Sequence, residues 1–255
     1  IHCHPSDDEL GKIYAPDLSL QASPNAMAAA LASINVANDA SRLDWLRAAK
    51  SAYDASYRVK AQPGDLDMGE VLAHLRDVIP ENAIVTNGAG NFAIWPNKFL
   101  KFGPKGRLLA PQSGAMGYGV PAAIAAKLHD PSRFVLCFAG DGDFQMNGNE
   151  LGSAMQAGLQ LIILIVNNGT YGTIRMHQER YYPERVSGTE LVNPDFVILA
   201  KAYGFYGERV EKTEDFAAAF ARACDSDTGA VLDLVVATEA ITPRQSISDL
   251  RIASV

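Results

Sequence analysis

The chain has 255 residues, room for one large α/β domain or one domain plus an appendage, and with 48% hydrophobic and 20% charged residues its composition is that of an ordinary soluble globular protein. Its net charge of -7 argues against nucleic acid or an anionic membrane surface as a partner, although a small anion can still be held by backbone N–H groups or by a metal. The longest apolar run, 159–166 with Gln160 inside it, is too short to span a bilayer.

The first 62 residues differ from the rest. IHCHPSDDELGKIYAPD reads as a strand end, a turn and a loop, and the Ala-rich stretches 23–39 and 41–59 read as helices. The opening on Ile1, without an initiator Met, leads us to expect a piece of a longer or processed protein. AQPGDLD then reads as a linker leading to a helix over 68–78, with Asp67 as its N-cap and Pro80 beyond its end. A domain boundary near residue 62 is expected, with one domain over 63–255.

From there strands and helices alternate. Strands are predicted at 83–86, 107–109, 134–139, 161–166, 208–210 and 230–236, with helices over 92–100, 120–128, 148–158, after NNGTYG through Arg175, 194–202 and 215–224. This order predicts an α/β fold: a parallel sheet of about six strands with helices on both faces, preceded by a short strand and helical segment. Cys3, Cys137 and Cys224 have no C-x-x-C spacing, which fits a reducing, cytoplasmic setting.

The chemistry is concentrated in FAGDGDFQMNGNELGSAMQAGLQLIILIVNNGTYG, residues 138–172, which contains no Lys, Arg or His. A βαβ crossover returns the chain to the same edge of the sheet. Asp141 and Asn168 therefore finish two strands that, if adjacent, lie about 4.8 Å apart. An acid, an amide oxygen and a nearby carbonyl make an all-oxygen site suited to Mg²⁺ or Ca²⁺. Gly140 and Gly142 allow a tight turn and close approach of a ligand. A helix is expected to start near Asn147, where Glu150 stands at capping-box spacing, and its positive end can face a phosphate. The counter-charge is then a metal. Taken singly, GDG and NNG each read as a turn.

Together, GDG followed by 24 residues and NN resembles the cofactor motif of thiamine-diphosphate-dependent enzymes, and within them the acetolactate synthase-like group. VTNGAGNFAIW, SGAMGYGVPAAIAAK, NPDFVILAKAYG and TPRQSISDL resemble further segments of the C-terminal domain of that group, and the first residues resemble the end of its middle domain. The resemblance implies the thiamine-diphosphate-binding fold, the cofactors thiamine diphosphate and Mg²⁺, and a 2-oxo acid substrate for decarboxylation or carboligation. It implies that Asp141 and Asn168 hold the metal by side-chain oxygens and Thr170 by its carbonyl. Gly90, Asn91, Gly142 and Asp143 would contact the diphosphate, and Gly114 and Met116 the aminopyrimidine, with the Met116 side chain wedged under the cofactor. Gly172 counts with them as a cofactor contact.

Two departures stand out. Asn91-Phe92 replaces the Gln-His common in acetolactate synthases. Nothing before residue 63 resembles the domain that carries the family's activating glutamate, so no catalytic residue is assigned here and that base is expected outside this chain. The resemblance also implies a homo-oligomer whose sites form between subunits. Small, weakly charged helices after Gly117 and Asn147 suit such an interface, and equally suit packing on their own sheet.

GAGNFA at 88–93 matches a dinucleotide fingerprint, but the next strand is followed by APQ and no acid. His2, Cys3 and His4 have too few companions for a metal site. His177, Glu179 and Arg180 read either as a substrate wall or as a solvated helix face, and 181–183 as part of a flap.

Overall fold

The computed structural model describes residues 1–36 and 39–252, in two compact units, 1–56 and 57–255. Ala37 and Asn38, which the helical reading of 23–39 included, lie outside the described residues. In the first unit β1 (His2–His4) pairs in parallel with β2 (Ser19–Gln21), a strand too short and polar to show in the sequence. Helix α1 (Pro24–Ala32) is capped by Ser23, whose Oγ accepts from the Ala26 N–H at 3.2 Å. Helix α2 (Ala40–Ala55) is capped by Asp39, and no residue of either helix is buried.

The second unit begins with α3 (Met68–Val78), at the bounds the sequence predicts, and Asp67 Oδ1 accepts from the Gly69 N–H at 2.7 Å as its cap. There follow β3 (Ile84–Asn87), α4 (Ile94–Phe99), β4 (Arg107–Leu109), α5 (Gly119–His129) and β5 (Val135–Gly140). The next elements are α6 (Asp141–Asn147), α7 (Leu151–Gln156), β6 (Ile162–Asn167), α8 (Gly172–Tyr181), α9 (Phe196–Ala202), β7 (Tyr206–Val210), α10 (Thr213–Cys224), β8 (Ala230–Val235) and α11 (Ile247–Ile252).

Six strands form one all-parallel sheet, as expected, and their order is β4-β3-β5-β6-β8-β7. Alternation along each strand sends side chains to two apolar layers. Leu136, Phe138, Leu164 and Leu232 pack with α3, α4 and α10 residues such as Leu72, Trp95 and Phe216. Val135, Cys137, Ile163 and Val231 pack with Val120, Ala123, Ala154 and Phe196 from α5, α7 and α9. Ala123 and Ala154 are thus fully buried against the chain's own sheet. Burial pushes the Cys137 thiol up to about 12, so it behaves as a core residue and not as a nucleophile.

The helix expected from Asn147 is different. The chain turns directly out of β5 into α6 at Asp141, passes through a 3₁₀ turn at Gly148–Glu150 and continues as α7. No capping box forms. Asn147 Nδ2 instead donates to the Gly117 carbonyl at 2.8 Å, and Glu150 accepts from Ser153 Oγ at 2.6 Å. A cross-loop hydrogen bond has displaced the local one.

The strand order places the site. From β3 the chain runs outward to β4 and then returns to the other side of β3 as β5. At such a switch point the following loops part in opposite directions and leave a crevice at the carboxyl ends of the strands. Because Leu164 sits fully buried in the sheet interior, Leu164→Ala is expected to destabilise the protein by about 2–5 kcal/mol through lost transfer energy and an unfilled cavity; chemical denaturation measures it.

Candidate cofactor site

A cavity of about 260 Å³ opens at that edge, lined from the ends of β3, β5, β6 and β8 and from the loop after β4. Gly90, Asn91, Gly114, Met116, Asp141, Gly142, Asp143, Asn168, Thr170 and Gly172 all line it. Met68, Phe92, Trp95, Ala240 and Ile241, which the motifs do not assign to the cofactor, line it as well.

Asp141 stands where β5 ends beside β6, with Gly140 opposite Val166 in the register. Its side chain is buried, and its ligands here are all N–H groups. Gly142 N donates to Oδ1 at 3.0 Å; Gly169 N and Asn193 Nδ2 each donate to Oδ2 at 2.8 Å. Burial raises its pKa, and these hydrogen bonds pull in the opposite direction. Asn168 Oδ1 accepts from Thr170 N at 3.1 Å. The Thr170 hydroxyl is turned away, donating to the Thr189 carbonyl at 2.8 Å, so its main chain rather than its side chain is left for a ligand.

Asp143 has a part the motif did not reveal. Its Oδ1 accepts from Gly117 N at 2.8 Å and from Ala89 N at 3.1 Å, tying the loops after β3 and β4 to the start of α6. Burial pushes this carboxyl up to about 6, against those hydrogen bonds. Gly88 must be glycine for this clasp, since a Cβ there would fall 1.9 Å from Asp143 Oδ1. Gly114 has a φ of 67°, a left-handed conformation that turns the loop carrying Met116 toward the cavity.

Asn91 and Phe92 part company. Asn91 Oδ1 accepts from Thr173 Oγ1 at 2.9 Å, joining the loop after β3 to α8. The Phe92 ring packs on the core and against Gly140, where a Cβ would approach it to 2.7 Å. It fills space beside the GDG turn.

Glu179 does not lie on a solvated helix face. It is completely buried and accepts from Arg251 Nη2 at 2.7 Å and Nε at 2.8 Å, from Arg175 Nε at 3.2 Å and from Glu184 N at 3.0 Å. Arg251 belongs to α11, whose Ile247 and Leu250 form a small cluster with Ile241 and Met176. The pair therefore fastens the segment that supplies Ala240 and Ile241 to the cavity wall. His177 stacks on Tyr181 with ring centroids 6.2 Å apart. Among the described residues no group of three or more His, Cys, Asp or Glu forms a metal cluster, and no helix is long and apolar enough to cross a membrane.

Comparison with known sequences gives the matching family: thiamine pyrophosphate enzyme, C-terminal TPP binding domain, over residues 88–234. The chain belongs to this family. The matched span runs from the turn after β3 into β8 and so contains the GDG and NN turns. The acetolactate synthase large subunit of Corynebacterium glutamicum is 32% identical over 272 aligned positions, covering 99% of this chain and 43% of that protein. Acetolactate synthase isozyme 2 large subunit of Escherichia coli is 30% identical over 230 residues, 89% of this chain and 41% of the relative. Among solved structures, a thiamine diphosphate-dependent 4-hydroxybenzoylformate decarboxylase from Rhodococcus jostii RHA1 superposes with a TM-score of 0.65 at 30% identity, over 71% of this chain and 34% of that one. The chain spans about two fifths of the curated relatives just named. The dinucleotide reading of GAGNFA gives way to this family membership.

The Glu179 latch has a pH signature. Its pKa, held down to about 2 mainly by the Arg251 hydrogen bonds, lies below the ordinary 4.5 of a glutamate. Its stabilisation is therefore complete above about 4.5 and is lost as the pH falls through about 2. Glu179→Gln is expected to cost about 2 kcal/mol at neutral pH, the scale of a charge-assisted hydrogen bond. Denaturation curves at a series of pH values should show the gap to wild type closing across that acidic window.

Proposed function

We propose that this chain is the diphosphate- and metal-binding part of a thiamine-diphosphate-dependent decarboxylase or carboligase that acts on a 2-oxo acid, in the manner of the acetolactate synthases it resembles. One observation carries the reading: a buried acid and an amide oxygen, Asp141 and Asn168, end adjacent strands beside glycine turns in one cavity. The donors there are neutral N–H groups, so a carboxylate in this place lacks a counter-charge that a divalent cation provides.

The residues fit Mg²⁺ with a diphosphate. Asp141, Asn168 and the Thr170 carbonyl give few protein ligands, all oxygen, and Mg²⁺ bound this way takes the remainder from phosphate oxygens and water. The main chains of Gly90, Asn91, Gly142 and Asp143, which line the same cavity, would contact the diphosphate. Gly114 and Met116 would hold the aminopyrimidine, with the unbranched, polarizable Met116 side chain beneath it, and Gly172 completes the wall. When bound, thiamine diphosphate supplies a nucleophilic carbon and an electron sink for breaking the bond beside the keto group. This chain's part would be to fix the cofactor's position, and the apolar residues Trp95, Val236 and Ile241 would limit water in the cavity they line.

The activating glutamate and the rest of the substrate pocket come, in this proposal, from another domain of a second subunit, so that the working enzyme is a homo-oligomer. Its class is transferase or lyase according to the fate of the decarboxylated fragment.

Calorimetric titration with thiamine diphosphate, with and without Mg²⁺, tests the reading. Metal-dependent binding is expected, and metal-independent binding would count against it. Asp141→Ala should reduce Mg²⁺-dependent affinity at least about tenfold to hundredfold, the scale seen when metal-site partners are lost. Far-ultraviolet circular dichroism should still show the wild-type secondary structure, since the three donors the substitution frees lie in loops and at a helix start on the cavity edge and not in the sheet.

A further inference from the structure

Asn193, in the NPDF run, has no role in the reading above, yet three hydrogen bonds fix its amide. Nδ2 donates to Asp141 Oδ2 at 2.8 Å and to Asn167 Oδ1 at 2.9 Å, while Oδ1 accepts from Gln145 Nε2 at 2.9 Å. Two acceptors on the NH₂ side and a donor on the oxygen side allow one orientation only. Asn167 Nδ2 in turn donates to Asp233 Oδ1 at 2.9 Å, and Arg209 Nε donates to Asp233 Oδ2 at 2.9 Å. Arg209 Nη2 lies 3.5 Å from Asp195 Oδ2, just beyond Asn193 in the chain. The network thus starts at Asn193, crosses β6, β8 and β7, and returns to its own segment. Asp233 is fully buried, so displacing Asn193 disturbs a network whose central carboxylate has no water to fall back on.

The consequence falls on Asp141. An ionised carboxylate has about four lone-pair positions. Both positions on Oδ2 are taken, by Gly169 N and by Asn193 Nδ2, and Oδ1 has accepted once, from Gly142 N. With Oδ2 filled by these two donors, Oδ1 is the oxygen left to meet a cation. A cation can then be met by a single oxygen. Ca²⁺ is commonly bound by both oxygens of a carboxylate in a roomy, irregular shell, whereas Mg²⁺ takes single oxygens in a tight octahedron at about 2.0–2.1 Å.

We propose that Asn193 is a positioning residue that holds Asp141 to one-oxygen coordination and thereby sets a preference for Mg²⁺ over Ca²⁺. The inference rests on the metal site of the proposed function and adds to it a residue and a selectivity. A purely structural Asn193, anchoring the segment before α9, would alter stability and leave the ratio of the two metals untouched.

The test uses the full chain as wild type, Asn193→Ala and Gln145→Ala. The half-saturating concentrations of Mg²⁺ and of Ca²⁺ for thiamine diphosphate binding are measured separately by calorimetry, with the metal-free Tm alongside. Asn193→Ala should raise the Mg²⁺ value about tenfold and the Ca²⁺ value little, so that the preference falls by the same factor. Gln145 is exposed, and its loss frees only the far side of the Asn193 amide; Gln145→Ala should shift the preference the same way by a smaller factor. Equal changes for both metals, or none, would overturn the inference. Should Asn193→Ala fail to fold, an unchanged ratio in Gln145→Ala overturns it alone. Wild type that binds the cofactor without metal would reject the metal site itself and this inference with it, whereas metal-dependent wild type with an unchanged ratio in the variants rejects the inference only.

Discussion

The arrangement turns on the burial of a carboxylate with no cationic side chain to meet it. Asp141 sits at the carboxyl edge of the sheet and accepts from Gly142 N, Gly169 N and Asn193 Nδ2. Neutral donors of this kind orient an anion but do not neutralise it, and burial works against its charge. Each neighbouring feature serves that condition. Gly169 has a φ of 67°, so its N–H is presented from a left-handed turn, and the segment from Thr189 to Leu191 is pinned back on the loop by backbone hydrogen bonds at 2.8 and 2.9 Å. The second carboxylate, Asp143, points the other way and binds loop to loop. Two acids two residues apart thus divide the work: one is left facing the cavity, the other holds the cavity together.

The sheet makes this division possible. Leaving β3 and β5 the chain moves apart, and the loops after β3, β4, β5 and β6 converge on one crevice. Two packed apolar layers keep those strand ends fixed. A site built on such strand ends inherits their rigidity, and its glycines are then a matter of space: the Asp143 clasp leaves no room for a side chain at Gly88.

The last turn of the chain closes the wall from the remaining side. Ala240 and Ile241 reach the cavity because α11 is held to α8 by an apolar cluster and by the buried Glu179–Arg251 pair. A charge pair at a buried position contributes less net stability than it costs to break. Its value here is geometric, since it fixes one orientation of a short helix whose apolar contacts alone are few.

The alternation of strands and helices, all six sheet strands within a few residues, and the acid–amide spacing were legible in the sequence, because strand period, Gly-rich turns and the GDG–NN interval are local signals. So was α3 with its Asp67 cap. The start of α6 was not: a capping-box pattern at Asn147 lost to a hydrogen bond with Gly117, thirty residues earlier in the chain. Helix α11 and the burial of Glu179 were hidden for the same reason, since both depend on a partner 72 residues away. Asn193 reads locally as a turn residue before a proline, and only the pairing of β5, β6 and β8 brings Asp141, Asn167 and Asp233 to its neighbourhood. Sequence by itself singled out the acid, the amide and the glycine turns that end neighbouring strands on one edge. Tertiary structure decided which way each carboxylate faces, because that is set by N–H groups from loops far apart in the chain.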